Sequence, residues 1–240
     1  VRTYLGLYTY VARLALKAIA HHAHYLLVAP LAAIGYGFAE MAISRFIGAV
    51  PGGGGSGTGF AAGLLISLIQ AAAMSLVLFV GRAIIEQRRL ATEDLQVGLG
   101  AFLGDVLTIF FVAWILSMVS QLLAAIYLAL IVALPMFETA ALTQESGFSI
   151  FSSVLRFTQR DIGPWLIGQL PLLVLVLVWF VFEVFGAPPI PDIARPWVEK
   201  TIFWALVLMA FVYRGVLFLT LDNYSPRRRA ERFGGAPGLG

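Results

Sequence analysis

The stretch that most restricts how this chain can fold is Gly98 to Leu134, GLGAFLGDVLTIFFVAWILSMVSQLLAAIYLALIVAL, in which Asp105 is the one charged side chain. As a single helix it would be about 55 Å long at about 1.5 Å per residue. The hydrocarbon core of a bilayer is only about 30 Å thick. The stretch therefore has to turn back on itself. A hairpin divided near Ser117 to Gln121 returns both of its ends to the same side of a membrane.

Runs of the same kind recur along the chain. Only 12% of residues are charged and the mean hydropathy is +0.90, against about 25% charge in soluble domains. The runs are continuously apolar, which excludes a barrel whose strands would alternate at every second residue. The expected fold class is all-α: a polytopic integral membrane protein of about six transmembrane helices plus two amphipathic interfacial helices. Residues 1–222 are expected to form one domain, and 223–240 a basic, Gly-rich flexible tail.

The expected spans are Tyr25 to Ile47, Phe60 to Val80, the two arms of the hairpin, Trp165 to Phe185 with a kink at Pro171, and Val198 to Leu221. Pro164 suits the first turn of a new helix, and a neighbour must satisfy the carbonyl that Pro171 frees. Trp165, Trp179 and Trp197 sit near span ends, where interfacial aromatics belong. Residues 1 to 24 place Leu7, Val11 and Ala15 on one helical face and Arg13 and Lys17 on the other. Residues 147 to 161 likewise separate Phe151 and Val154 from Arg156 and Arg160. Both patterns describe helices lying in the interface. Their four cations, Arg13, Lys17, Arg156 and Arg160, would contact anionic lipid of the inner leaflet.

Charge tests this topology. With six spans, only Arg45, Arg195 and Lys200 of the 16 Lys and Arg residues fall outside. Such asymmetry is expected when both termini are cytoplasmic, and it also accounts for the basic pI without nucleic acid. The prokaryotic cytoplasmic (inner) membrane is the expected location. A repeat is visible as well. An amphipathic helix, a span with an early Pro (Pro30, Pro171) and a late Glu (Glu40, Glu183), and a span carrying FVGR (79–82) or FVYR (211–214) occur twice.

Ionisable groups inside a membrane are costly and are candidates for function. By residue counting, Asp105 and Arg214 lie at similar depths. A buried Asp105–Arg214 ion pair, shared with Glu138, is the expected arrangement, serving either as a packing lock or as a polar centre for a solute. His21, His22 and His24 form the one histidine cluster, with no carboxylate or cysteine beside it. They read as histidines of a helix elbow, with haem or metal ligation as the alternative. The small residues Gly63, Ser67, Ala71 and Ser75 recur every fourth position, a packing face for this protein or a partner. Glycine-rich PGGGGSGTG lacks the Lys-Ser/Thr of a phosphate loop. No cofactor and no catalytic motif is indicated.

The segment FETAALTQESGFSIFSSVLRFTQRDIGPWLI (137–167), with RAIIE after the second span, resembles a prokaryotic membrane family catalogued only as a domain of unknown function, the 4013 series. The resemblance covers roughly residues 1 to 222 and departs from the family pattern at LATEDLQ. It implies a fold and supplies no activity. The sequence thus points to an accessory or scaffolding subunit bound to the lipid bilayer and to other integral membrane subunits. The alternative is a transporter or channel for a small solute with an Asp105/Arg214 polar centre.

Overall fold

A computed structural model of the chain describes residues 2–49, 56–143, 145–185, 194–225, 228–229 and 233. Among these the fold is entirely helical. Ten α-helices follow in order: α1 (Arg2–His21), α2 (Val28–Ala49), α3 (Ser56–Ile85), α4 (Thr92–Ala101), α5 (Leu103–Val119), α6 (Gln121–Ala133), α7 (Met136–Leu142), α8 (Ser149–Gly168), α9 (Leu172–Phe185) and α10 (Arg195–Asn223). A short 3-10 turn, Ala23–Leu27, joins α1 to α2.

Four segments are long and apolar enough to cross a membrane: Ala23–Ile43, Leu65–Ile85, Thr92–Val119 and Arg195–Asn223. A fifth is formed if α6 and α7, bent by 52°, count as one span. The protein is thus multi-pass by length and composition. The expected fifth span, Trp165 to Phe185, is not one helix. Pro171 has no N–H to donate, and a turn at residues 169–171 separates α8 from the 14-residue α9.

The hairpin forms where the sequence places it. Ser120, extended at φ −162°, ψ 131°, ends α5, and α6 packs back along it. The centre of the molecule is α10, which packs on α2 and α3, while α1 lies against its C-terminal half. Two clusters record this. Ala29, Ala33, Val77 and Val80 meet Leu208 and Val212; Leu7, Val11 and Ala15 of α1 meet Trp165, Leu217 and Leu221. The face of α1 that the sequence marks as apolar is therefore buried inside the protein, and Arg13 and Lys17 are exposed.

Small residues set these approaches. Ala71 and Ser75 of the α3 stripe are fully buried, while Ser67 is exposed. The Ser75 hydroxyl donates to Gly98 O at 2.9 Å and accepts from Phe102 N at 2.9 Å, so it pins the joint between α4 and α5. At the other joint, the Tyr25 hydroxyl donates to Arg88 O and accepts from Leu90 N at 2.7 Å, closing the loop after α3. Large apolar side chains such as Met118, Val119, Leu122 and Val132 are exposed. Patches of this kind mark contact with lipid or another protein.

Candidate functional site

The polar centre of the molecule grows from a broken helix. Pro135, at φ −81°, ψ 50°, has no N–H and interrupts the helical ladder between α6 and α7, so nearby carbonyls lose their donors. In an apolar setting each unsatisfied group is costly. Here α8 and α10 supply the donors. Trp165 Nε1 donates to Ala133 O at 2.7 Å and Gln169 Nε2 to the same oxygen at 3.0 Å. Arg214 Nη2 donates to Leu134 O at 2.8 Å, and its Nη1 donates to Val132 O.

Arg214 also holds the one buried carboxylate of α7. Its Nε donates to Glu138 Oε1 at 2.6 Å and its Nη2 to Glu138 Oε2 at 3.2 Å, a two-point contact that suits the planar guanidinium. The guanidinium lies 5.1 Å from the centre of the Trp165 ring, within range of a cation–π contact. Glu138 and Trp165 are both buried. Trp165 is thus a core donor and not an interfacial anchor; the Trp179 side chain lies outside the described residues. The second break is capped in the same way, since the Tyr213 hydroxyl donates to Gly168 O at 2.6 Å beside the Pro171 turn.

The expected Asp105–Arg214 pair does not form. Asp105 Oδ1 instead accepts from Gly147 N at 2.8 Å, holding the loop that leads into α8. Gly147 has φ +56°, a conformation that favours glycine. The depth match assumed a straight helix from Gly98. A break at Phe102, at φ −118°, ψ 10°, puts Asp105 in the first turn of α5, and Glu138 takes the arginine.

A second charged cluster pins a kink in α8. Asp161 is buried and non-helical at φ −133°, ψ 15°, three residues before Pro164. Its Oδ2 accepts from Arg160 Nε at 2.6 Å, and its Oδ1 accepts from Arg229 Nη2. Arg160 reaches on to Asp222 Oδ1 at 2.8 Å. These bonds, with Asp161 first, raise the Arg160 pKa further above its ordinary value. The expected flexible tail is therefore docked at two points. Arg229 is buried against Asp161, and Phe233 packs on Tyr10, Tyr224 and the backbone at Gly6. A buried carboxylate needs a counter-charge, and composition alone does not show that the tail provides it. Arg229 Nε and Nη1 and Thr158 Oγ1 are buried without a hydrogen-bond partner.

The remaining candidates are dispersed. His22 is buried, with Nδ1 3.2 Å from Ala18 O, and stacks on Tyr25 at the α1–α2 elbow; His21 and His24 are exposed. Among the described residues no group of three His, Cys, Asp or Glu side chains is placed to hold a metal. Arg156 and Arg160 are exposed but paired, Arg156 with Glu145 at 3.2 Å. The arginines of the two FVxR stretches sit differently: Arg82 makes an exposed i,i+4 pair with Glu86, whereas Arg214 is buried. The Glu40 and Glu183 side chains lie outside the described residues.

Sequence reasoning missed Asp161 and Arg229. An acidic residue just ahead of a proline turn is a helix-start signal, but its partner Arg229 stands 68 residues away. Compared with family models, curated proteins and solved structures, the chain has no match. The likeness to the 4013 series thus rests on the residues quoted for it.

Proposed function

We propose that this protein is an accessory or scaffolding subunit of a prokaryotic inner membrane, which packs against other integral membrane subunits and catalyses nothing itself. The observation that carries the reading is the engagement of Arg214: its Nε, Nη1 and Nη2 all donate, to Glu138 and to the carbonyls of Val132 and Leu134. A centre used in this way ties α6, α7 and α10 together and leaves no charge free for a solute. The α5–α6 hairpin meanwhile presents exposed Phe111, Trp114, Met118 and Leu122. In this reading the chain crosses six times with both termini cytoplasmic, as the distribution of Lys and Arg favours. Its partners are lipid and membrane proteins, with no nucleic acid and no cofactor.

The alternative, a small-solute transporter or channel, loses the Asp105/Arg214 centre it was built on, because Asp105 bonds Gly147. Photo-crosslinkers at Met118 and Leu122 in native membranes, with purification in mild detergent, test the proposal. A protein adduct of defined mass that co-elutes with the chain is expected. Lipid adducts alone, with a monodisperse monomer, would overturn it. Solute flux in liposomes that falls with Arg214→Gln would favour the alternative.

A further inference from the structure

At the ends of α7, α8 and α10 that the proposed topology places at the inner face lies a cavity of about 540 Å³, which shares Arg160 and Asp222 with the kink cluster and lies apart from the polar centre. Arg156 and Arg160 line it, one helical turn apart on α8, together with Glu145 from the α7–α8 loop and Asp222 of α10. Phe157 and Phe218, with ring centres 4.9 Å apart, also line it, as do the hydroxyl-bearing Thr143 and Ser153. The volume falls within the range of about 300–1,000 Å³ usual for small-molecule sites.

The charges of the lining balance, two of each sign. They are joined in two pairs, Arg156 with Glu145 at 3.2 Å and Arg160 Nη2 with Asp222 at 2.8 Å, while Arg160 Nε stays fixed on the buried Asp161 at 2.6 Å. All four side chains are at least one-third exposed, and pairs of that kind are weak and easily exchanged. The hydroxyls of Ser149 and Ser153, followed by Arg156, lower the Glu145 carboxyl pKa from its ordinary value. An anionic ligand would gain two arginines but meet two carboxylates, and a cation would meet the reverse. A zwitterion answers both signs at once without leaving a charge unpaired. A primary ammonium adds three N–H donors for the carboxylates, which a quaternary amine lacks.

We propose that this groove binds a zwitterionic phosphoethanolamine group, its phosphate on Arg156 and Arg160 and its ammonium on Glu145 and Asp222. A membrane phospholipid is the source the setting favours. Phe157 and Phe218 give the groove an apolar floor beside its charges. The inference rests on the proposed topology but not on the scaffolding role. It replaces general attraction to anionic lipid with a defined head group.

The test uses the full chain, delipidated in mild detergent and reconstituted in nanodiscs holding equal phosphatidylethanolamine, phosphatidylglycerol and phosphatidylcholine, with retained lipid read by native mass spectrometry. Retention of phosphatidylethanolamine about tenfold above the other two is expected, the effect of one or two charge-assisted hydrogen bonds. Arg156→Gln should lower that retention about tenfold. Glu145→Gln together with Asp222→Asn should move the preference to phosphatidylglycerol, a change of selectivity that misfolding cannot produce. Soluble glycerophosphoethanolamine at millimolar concentration separates the two sources. Displacement of the lipid assigns the soluble compound as ligand and persistence assigns the lipid, and the zwitterion stands in either case. Equal retention of all three lipids, or a double variant with unchanged preference, would overturn the proposal.

Discussion

Two apolar segments of this chain end in different surroundings: of an 18-residue apolar stretch within Leu65–Ile85 in α3, 56% is buried, against 17% of such a stretch within Thr92–Val119 in α4 and α5. Apolar character does not separate them, since lipid tails are as apolar as leucine and give helices no hydrophobic reason to associate. Close approach does. A β-carbon added at Gly81 would lie 2.3 Å from Phe211 Cδ1, and one at Gly215 2.5 Å from Ile85 Cδ1, so each of α3 and α10 seats a large side chain directly against a glycine of the other. In Thr92–Val119 only the start is close, where one added at Gly98 would lie 2.8 Å from Phe79 Cδ1; one added at Gly100 or Gly104 would meet nothing within 4 Å. Polar ties reinforce the contrast. Arg214, Trp165 and Tyr213 fasten the core, while Tyr127 OH, donating to Ile109 O at 3.1 Å, links the two arms of the hairpin.

The sharpest way to break this contrast is Arg214→Ala. It leaves Glu138 buried without a partner and takes donors from two carbonyls, so a loss of about 3–5 kcal/mol is expected in detergent unfolding. Adding Glu138→Leu should restore part of that loss but not all, because the carbonyls stay uncapped. A neutral Arg214→Ala would show that the clamp is idle.

A matched pair of glycine substitutions comes next. Gly81→Ala crowds the buried Phe211 ring and should destabilise by about 1–3 kcal/mol, whereas Gly104→Ala, in open space, should gain up to about 1 kcal/mol from helix propensity. If both destabilise alike, the hairpin is as tightly packed as the core.

Tyr8, whose hydroxyl donates to Pro164 O at 2.9 Å, ties α1 to α8. Tyr8→Phe should cost about 0.5–1.5 kcal/mol. Burial pushes the phenol up to about 12 from 10.0. The folded state therefore favours neutral Tyr8, and its contribution is whole below about pH 10 and lost as pH rises to about 12. Alkaline unfolding curves should be shallower over that window for the phenylalanine variant. Equal slopes would remove Tyr8 from the account.

The smallest effects belong to the hairpin surface. Met118→Ala and Leu122→Ala should leave unfolding within about 0.5 kcal/mol of the parent. A loss above about 1 kcal/mol in the isolated protein would mean that this face is already covered, which the contrast does not allow.

Much of the hairpin was legible. The Gly98 to Leu134 stretch is too long for one crossing, and the break falls at Ser120, inside the expected window. Arg214 and Glu138 also stood out, since charges are scarce in such segments. Their pairing with each other to the exclusion of Asp105 was not legible, because counting residues measures depth along a straight helix and Phe102 is a bend. Pro164 and Pro171 announced breaks but could not name Tyr213, 45 residues beyond Gly168, as the donor to its carbonyl. The tail looked flexible by composition, yet Arg229 and Phe233 are docked.

By itself the sequence determined the helical class, the membrane-compatible segments, the amphipathic helices and the turns forced by proline and by length. These follow from backbone chemistry and apolarity, both local properties. The tertiary structure alone decided which apolar faces are buried, which carbonyls Arg214 and Trp165 cap, and that two pairs of opposite charge share a groove at Arg156 and Arg160. The physical reason is that apolar faces are interchangeable in lipid. Partner choice then rests on shape and on a few polar contacts between residues far apart in the chain.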